Sequence, residues 1–451
     1  MRALALNIHS KVSSLKKKDI VEIDLKGKSL SQQVFWLILR DLARLNWKLK
    51  APTKINPFLT IVPPKNYDKQ IIKEAMSIKR DEIISKNKKW IDKHIDLAKR
   101  NLANGYDVLH SEIDPIIEVC ETQKQHDLFR IFRYYWSSPY SEYVGRRIKI
   151  IIRDKALPNK PVIGIAALGS PIIHIPERDD FIGWDVSTRT RNLIYAMDAY
   201  VIGALPPYNY LLGGKLISYI LASKEVREIY RKKYKDKVTL IDKREANQLV
   251  GIFTTSLYGK SSQYNRLKYK NELLYKPIGT TKGFGTLHLS EETIEKMQEY
   301  LKSKNIFVAN KFGDGPSWTM RVIHKAGEMM GFDPDLLLKH SFKRNIYFVP
   351  LGENWKAFFN GESKQPLFYN YSKNELVKFW KERWFENRKR NIDVLSNVMN
   401  FRADSFSISS HTLTDTFASP ANNRTNQRLR KSQQVTDTEK NFKIISPSLK
   451  E

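Results

Sequence analysis

The spacing of apolar residues divides the chain into a helical beginning, a strand-rich middle and a second helical region. Residues 31–50 (SQQVFWLILRDLARLNWKLK) place apolar side chains at helical intervals, and Pro52 ends the pattern. Residues 67–104 form a long, charged stretch of helix-favouring residues that ends at Gly105. A stretch with so few apolar residues predicts a helix that lies largely in solvent.

The periodicity changes in the middle of the chain, where the pattern is typical of strands. Residues 146–154 (RRIKIIIRD) alternate and then become apolar, and residues 161–175 (PVIGIAALGSPIIHI) predict a second strand. Residues 192–205 end in the apolar run AYVIGAL, and residues 249–259 (LVGIFTTSLYG) predict a further strand. An amphipathic helical segment separates the last two, so the order strand–helix–strand indicates a sheet covered by helices.

Residues 290–395 return to helical spacing, beginning with a Ser cap in SEETIEKMQEYLKS. Beyond about residue 401 the chain is rich in Ser, Thr, Asn and Gln, a composition typical of disorder. We therefore predict an α+β protein with four parts: a helical N-terminal region (1–135), an α/β core with a mixed sheet (136–290), a helical C-terminal extension (291–395) and a disordered tail (396–451).

The charge balance points to a polyanionic partner. The chain has 451 residues, of which 77 are Lys or Arg and 48 are Asp or Glu, giving a formal net charge of +29. An excess of this size repels itself in a compact protein and attracts polyanions. We therefore expect a nucleic acid as the partner, with DNA favoured over RNA. The alternatives are a solvated basic surface, or a surface that meets an acidic protein or an anionic membrane.

Other totals place the protein in the cytoplasm. The sequence has no uninterrupted apolar run of about 18 residues, so we expect no membrane span. The opening MRALALNIHSKVSS has too short an apolar stretch for a secretion signal. The single cysteine, Cys120, excludes an internal disulfide, and its apolar neighbours (IDPIIEVC) predict a buried, inert thiol.

A candidate phosphate site lies in residues 199–223 (AYVIGALPPYNYLLGGKLISYILAS). This segment predicts a buried strand, a turn, and a helix entered through Gly213 and Gly214. Free backbone N–H groups and the helix dipole favour a phosphate at such a helix start. A glycine pair is also a common packing device, and that interpretation stays open.

The same segment resembles the acyl-CoA-binding segment of the GNAT acetyltransferase fold, where an Arg/Gln-x-x-Gly-x-Gly/Ala loop holds the pyrophosphate of coenzyme A. Gly213 matches the second glycine of that loop, and Lys215 begins the matched helix. Tyr208 stands in place of the Arg or Gln, and Leu211 in place of the first glycine. The resemblance implies a GNAT-like central sheet with a vestigial phosphate loop at Gly213, Gly214 and Lys215, and we expect no cofactor.

Residues 254–285 interleave basic residues with tyrosines, a mixture that can hold phosphates and stack on bases. The alternative is a strand and loop whose polar residues satisfy one another. On the first interpretation, the tyrosines stack on bases, and the basic residues contact phosphates together with two arginines from the strand predicted at residues 146–154. The predicted residues are Arg146, Arg147, Tyr258, Lys260, Tyr264, Arg266 and Lys268.

Four phrases, at residues 136–154, 161–185, 192–216 and 254–268, together resemble the DruA proteins of Druantia anti-phage defence systems. The resemblance extends over about residues 130–350 and is more specific than any single phrase. It implies a role in defence against phage beside a helicase-like partner, whereas the binding of nucleic acid is predicted from the charge and from the interleaved tyrosines and basic residues. The family offers no settled catalytic residues to carry over.

Three other functions stay open. A metal-dependent nuclease or transposase-like enzyme would use carboxylates among Asp179, Asp180, Asp185 and Asp198, with His174, and of these Asp180 and Asp185 are the candidates we retain. The ERDD sequence is also typical of a turn. An acyl-CoA-dependent acyltransferase would use the glycine loop. A scaffold for a defence complex would bind a protein partner without nucleic acid. The scattered histidines and the absence of a G-x-x-x-x-G-K-[ST] loop argue against a zinc site and an NTPase.

Overall fold

The structure is a computed structural model that describes residues 7, 9–12, 15–65, 67–138, 145–238, 243–308 and 316–409. The strands are β1 (Lys48–Lys50), β2 (Thr60–Val62), β3 (Pro115–Val119), β4 (Arg147–Asp154), β5 (Val162–Gly169), β6 (Ala196–Ala204), β7 (Gly251–Ser256), β8 (Lys268–Tyr269), β9 (Glu272–Leu273), β10 (Lys276–Thr280) and β11 (Asn345–Pro350). Strands and helices occur in separate runs as well as in alternation, and the α+β prediction is confirmed.

The α-helices lie on both sides of the sheet and in a separate body. They are α1 (Lys17–Val21), α2 (Leu30–Arg44), α3 (Lys69–Lys86), α4 (Lys88–Arg100), α5 (Gly105–Leu109), α6 (Gln123–Arg133), α7 (Pro176–Ile182), α8 (Val186–Asn192), α9 (Gly213–Leu221), α10 (Lys224–Tyr234), α11 (Glu291–Ser303), α12 (Pro316–Met329), α13 (Pro334–Leu338), α14 (Trp355–Phe359), α15 (Lys373–Trp380), α16 (Glu386–Lys389) and α17 (Ile392–Met399). A π-helical stretch, Lys381–Phe385, joins α15 to α16.

Seven strands form one mixed sheet in the order β10-β11-β7-β6-β5-β4-β3. Neighbouring strands are antiparallel except β6 and β7, which run parallel. This parallel pairing extends only from Ala196 opposite Gly251 to Asp198 opposite Phe253. Beyond it, β6 continues against β5 and β7 continues against β11, so the two strands separate at their carboxyl ends. We call this point the strand fork.

The sheet is buried on both faces. All eight residues of β5 are buried, because α9 and α15 cover one face and α4 and α6 cover the other. A strand covered on both sides reads as a continuous apolar run, which explains the sequence of Val162–Gly169. The strand predicted over residues 161–175 ends at Gly169, shortly before Pro171, which has no N–H for a further ladder bond.

A second core joins the N-terminal helices to the helices that lie between β10 and β11 in the chain. Helices α2, α11 and α12 contribute to it. The buried carboxylate of Asp41 fixes the contact, because its Oδ2 accepts bonds from Ser290 N (2.7 Å), Ser290 Oγ (2.8 Å) and Thr293 Oγ1 (2.6 Å). Ser290 caps α11 as the sequence predicts. We call this unit the helical body.

Several boundaries differ from the sequence prediction. The long helix predicted over residues 67–104 is two helices separated at Asn87. The sheet takes β3 and β11 from outside the predicted core range of 136–290. Residues 396–409 of the predicted tail include the end of α17 and the buried Phe406, which contacts Phe132 and Tyr135. Residues 410–451 of that tail lie outside the described residues.

Two further predictions concern the thiol of Cys120 and the absence of membrane-spanning helices. Cys120 is buried as expected, and burial raises the pKa of its thiol to about 12, which keeps it protonated and unreactive. In the described part of the chain, every helix is too short or too polar to cross a membrane.

Candidate nucleic-acid interface

A large cleft opens at the strand fork, between the sheet and the helical body. Its volume is about 3120 Å³. Strands β6 and β7 supply its floor, and α3 and α11 line the opposite side. Because β6 and β7 separate beyond Asp198 and Phe253, no backbone hydrogen-bond ladder joins these two strands along the cleft. Thr254 in β7 still bridges the two strands, since its Oγ1 donates to Ala199 O at 2.8 Å.

The lining of the cleft is basic. Its described acidic residues number five: Glu74, Asp81, Glu177, Asp198 and Glu291. Its described Lys and Arg residues number twelve: Arg44, Lys69, Lys73, Lys79, Arg133, Lys215, Lys260, Arg266, Lys282, Lys339, Arg344 and Arg388. A concave surface with an excess of one charge focuses its field and attracts an anionic ligand.

Some of these cations are not neutralised within the protein. In the part of the chain that the structure describes, the exposed residues Lys69, Lys260, Arg266, Lys282 and Lys339 form no ion pair with an acidic side chain. Partial burial lowers the pKa of Lys69, and so does the positive charge of Lys73, which lies on the same helix, α3. Because these cations of the cleft have no carboxylate partners among the described residues, they favour the binding of a ligand that carries negative charge.

Four of the seven predicted nucleic-acid residues line this cleft: Tyr258, Lys260, Tyr264 and Arg266. Lys260 and Arg266 are exposed. Tyr258 is half-buried, and its hydroxyl lies 3.0 Å from Ser137 Oγ. Tyr264 is only 7% exposed and stacks on Tyr275 with 5.1 Å between ring centroids. The structure therefore places Tyr264 in the core of the cleft wall, whereas Tyr258 keeps part of its surface open.

The other three predicted residues lie outside the cleft lining. Arg146 donates to Ile194 O (2.6 Å), Ala196 O (3.2 Å) and the hydroxyl of Tyr230, so its guanidinium fixes the start of β6 to α10. Arg147 is exposed on β4. Lys268 is exposed in the short β8 strand, and its carbonyl oxygen accepts a bond from the Tyr219 hydroxyl at 3.0 Å.

The predicted phosphate loop is covered by another segment of the chain. Lys215 Nζ donates to the carbonyl oxygens of Ser262 (2.5 Å), Gln263 (3.2 Å) and Asn265 (3.3 Å). Burial and the charge of Arg266 lower the pKa of Lys215 to about 8. A Cβ at Gly214 would lie 3.0 Å from Gln263 Oε1, and Gln263 Nε2 donates to Ser218 Oγ at 3.0 Å, so this side chain lies along the first turns of the helix. The helix start and its lysine thus hold the segment 262–265.

The weak metal candidates lie apart from any ligand cluster. Asp185 is exposed and caps α8, where its Oδ1 accepts from Thr188 N at 2.6 Å and Ser187 Oγ at 3.0 Å. These bonds, the first above all, lower the pKa of Asp185. Asp180 is exposed on α7. Among the described residues, no group of three or more His, Cys, Asp or Glu side chains is placed to hold a metal ion.

One of the carboxylates considered as a metal ligand from the sequence, Asp198, lies at the strand fork. Asp198 is the last residue of β6 that pairs with β7, and it is 7% exposed. Its Oδ2 accepts from Ile172 N at 3.0 Å, while its buried Oδ1 has no hydrogen-bond partner. Burial raises the pKa of Asp198 to about 7, against the opposing effects of the Ile172 N–H and the charge of Arg178.

The fold and the cleft define an α+β protein with a basic cleft at a fork between parallel strands. Residues 65–361 match the family model described as Druantia protein DruA. The chain is also 36% identical over 321 residues to Druantia protein DruA of Escherichia coli (strain UMEA 4076-1), covering 70% of this chain and 79% of that protein. No solved structure matches the chain significantly. The chain belongs to the DruA family.

Proposed function

We propose that this protein is the nucleic-acid-binding component of a Druantia-type anti-phage defence system, acting beside a helicase-like partner. Its membership of the DruA family supports the role in defence. The basic cleft supports the binding of nucleic acid, because cations from distant parts of the chain meet there without matching carboxylates. This convergence is the observation that carries the proposal.

In this proposal the phosphate backbone follows the cations of the cleft, among them Lys69, Lys260, Arg266 and Lys282. These residues come from α3 and from the segments on either side of β10, so only the folded chain brings them together. Contacts of this kind give affinity and position without sequence specificity. The half-buried Tyr258 stands in the same wall and offers a ring and a hydroxyl.

We propose further that the sheet is GNAT-like. The passage from β6 through a turn into a helix that begins at Gly213 supports this likeness, as does the single parallel strand pair. An acyltransferase activity gains no support from the loop itself, because Gly213 N and Lys215 N already donate to Tyr208 O and Leu212 O, and Lys215 Nζ already binds three carbonyl groups. The exposed, separate positions of Asp180 and Asp185 likewise give no support to a nuclease.

A charge-reversal experiment tests the cleft. The double variant Lys260→Glu/Arg266→Glu places two carboxylates in the basic lining. We expect its affinity for a labelled oligonucleotide to fall at least tenfold. Its log–log salt slope on a single strand should become shallower by roughly 0.7 for each phosphate that the variant no longer binds. Fluorescence polarisation across a salt series measures both quantities.

The matched control is Lys268→Glu/Lys270→Glu, which makes the same change of net charge in the same segment, at exposed residues outside the cleft lining. We expect a small, long-range decrease of affinity from this variant. Equal decreases in the two variants would mean that overall charge, and not the cleft, attracts the nucleic acid.

A further inference from the structure

Three large apolar side chains are exposed inside the basic cleft. Ile172, Ile173 and Phe284 are 51%, 73% and 58% exposed, and all three line the cleft. Single exposed apolar residues are normal on protein surfaces, but three in one basic cleft offer apolar surface to the same ligand that the cations attract. A ligand that covers them must combine apolar faces with negative charge.

The backbone beneath the two isoleucines is held in place. The guanidinium of the fully buried Arg178 donates to Ile172 O at 2.6 Å and to Ile173 O at 2.9 Å. From the other side, Asp198 Oδ2 accepts the N–H of Ile172 at 3.0 Å. Two buried charged residues therefore fix the loop that presents these side chains.

The backbone beneath Phe284 is also held in place. Gly283 O accepts from Ser341 N and Gly285 N donates to Leu338 O, both at 2.9 Å. The two glycines have φ values of +71° and +138°, and a Cβ at Gly283 would lie 2.6 Å from Phe342 N. Only glycine fits there. The Gly-Phe-Gly turn thus projects an aromatic ring from a fixed base, with Lys282 beside it.

The two loops start from neighbouring points of the fold. Glu177 lies at the start of α7, just after the isoleucine loop, and Gly279 lies in β10, just before the phenylalanine loop. A Cβ at Gly279 would lie 2.9 Å from Glu177 Cβ, so these two elements are in contact. The apolar side chains therefore belong to one region of the cleft.

From this arrangement we infer that the cleft binds single-stranded nucleic acid, with a base stacked on Phe284 and an adjacent base against Ile172 and Ile173. The inference rests on the proposed function and specifies its substrate. Unpaired bases have open faces that stack on aromatic side chains, whereas the bases of a duplex already stack on one another. The cations beside the patch would hold the phosphates of the same strand.

The test compares a labelled strand of 16 thymidines with a 16-residue abasic strand that keeps the phosphates and lacks the bases, and with a 16-base-pair duplex. For the wild-type protein we expect the thymidine strand to bind most tightly. Phe284→Ala should weaken thymidine binding about tenfold, the usual effect of removing one base–aromatic stack. It should leave abasic binding and the salt slope unchanged, because no charge is removed. Phe284→Trp should restore the thymidine affinity.

The matched control is Phe307→Ala, at a phenylalanine that is 82% exposed and lies outside the cleft lining. It should leave all three affinities unchanged, and both alanine variants should keep the wild-type melting temperature. If Phe284→Ala weakens abasic and thymidine binding equally, or if the duplex binds most tightly and the variant has no effect, the inference is wrong. If the wild-type protein binds none of the three probes, the proposed function itself is wrong.

Discussion

Arg178 and Asp179, adjacent on α7, form a buried ion pair in which one carboxylate oxygen, Asp179 Oδ1, accepts from Arg178 Nε at 2.8 Å and from Nη2 at 2.6 Å. Arg178 also holds the backbone of the isoleucine loop, which lines the cleft. Asp179 Oδ2 is engaged as well, by Arg189 at 3.1 Å. One ion pair thus connects the short helix to the loop in front of it.

Removal of this guanidinium should destabilise the fold strongly. We expect Arg178→Met to lower the free energy of unfolding by about 3–5 kcal/mol, because it leaves Asp179 without its main partner and frees two carbonyl groups. Urea unfolding measures the change. The control Arg191→Met, at an exposed arginine on the neighbouring α8, should change stability by less than about 0.5 kcal/mol. Similar effects in the two variants would contradict the structural role of Arg178.

Asp198 should make stability depend on pH. Its pKa is about 7 in the folded protein and lies near 3.8 when the carboxyl is free in water. The folded state therefore keeps a proton that the unfolded chain has released, so the contribution of Asp198 to stability falls as pH rises from about 4 to 7.

Asp198→Asn removes this titration. The unfolding free energy of the variant minus that of the wild type should increase by about 2–3 kcal/mol from pH 5 to pH 8, because only the wild type loses the contribution of the protonated Asp198. Urea unfolding at the two pH values gives this difference directly. A constant difference between variant and wild type would show that Asp198 does not titrate in this range.

His340 should have the opposite effect at acid pH. Burial, together with the nearby His288, lowers the pKa of His340 to about 2, while an unfolded histidine takes up a proton near pH 6.5. The folded protein must therefore lose stability as pH falls below about 6.5. His340→Asn keeps an acceptor for the Phe342 N–H, which His340 Nδ1 binds at 3.0 Å, and removes the titration.

On acidification from pH 7 to pH 4.5, the unfolding free energy of both proteins should fall, and the fall should be about 2–3 kcal/mol smaller for His340→Asn than for wild type. His324→Asn, at a half-exposed histidine, is the control and should follow the wild-type curve. An acid profile of His340→Asn that matches wild type would contradict the prediction.

The two glycines that begin α9 should differ in their tolerance of a methyl group. At Gly213 a Cβ would lie 2.6 Å from Tyr208 O and 2.8 Å from Ala204 Cβ, whereas at Gly214 its nearest neighbour is the flexible side chain of Gln263. Gly213→Ala should therefore cost about 1–3 kcal/mol, and Gly214→Ala less than about 1 kcal/mol. Thermal melts measure both, and equal destabilisation would contradict the packing at Gly213. Acetyl-CoA should leave the wild-type melting temperature unchanged, because Gly213 N, Lys215 N and Lys215 Nζ already have partners within the protein.

The sequence predicted those elements whose pattern is local. Apolar runs identified the strands at Arg147–Asp154 and Val162–Gly169, and the Ser290 cap located the start of α11. The strands Pro115–Val119 and Asn345–Pro350 were missed, because they are short and join the sheet only through partners far away in the chain. In strands this short, the pairing with distant partners produces no recognisable alternation of apolar and polar residues in the sequence.

The candidate site was predictable only in part. Basic residues at Lys260 and Arg266 were visible in the sequence and lie in the cleft, but the contribution of Lys69 depends on how α3 packs in the helical body through Ile72 and Met76. Arg146 shows the converse: its charge is plain in the sequence, yet carbonyl oxygens of the β6 region take up its donors. Charge in a sequence does not reveal which partners the fold supplies.

The central claim is that the basic cleft binds the phosphate backbone of a nucleic acid, and the salt dependence of wild-type binding tests it most directly. Fluorescence polarisation with a labelled single strand, across a series of salt concentrations, gives the observed association constant. The logarithm of this constant should fall linearly with the logarithm of the salt concentration, with a slope of about 0.7 for each phosphate bound. Absence of binding at low salt, or an affinity that does not change with salt, would contradict the claim.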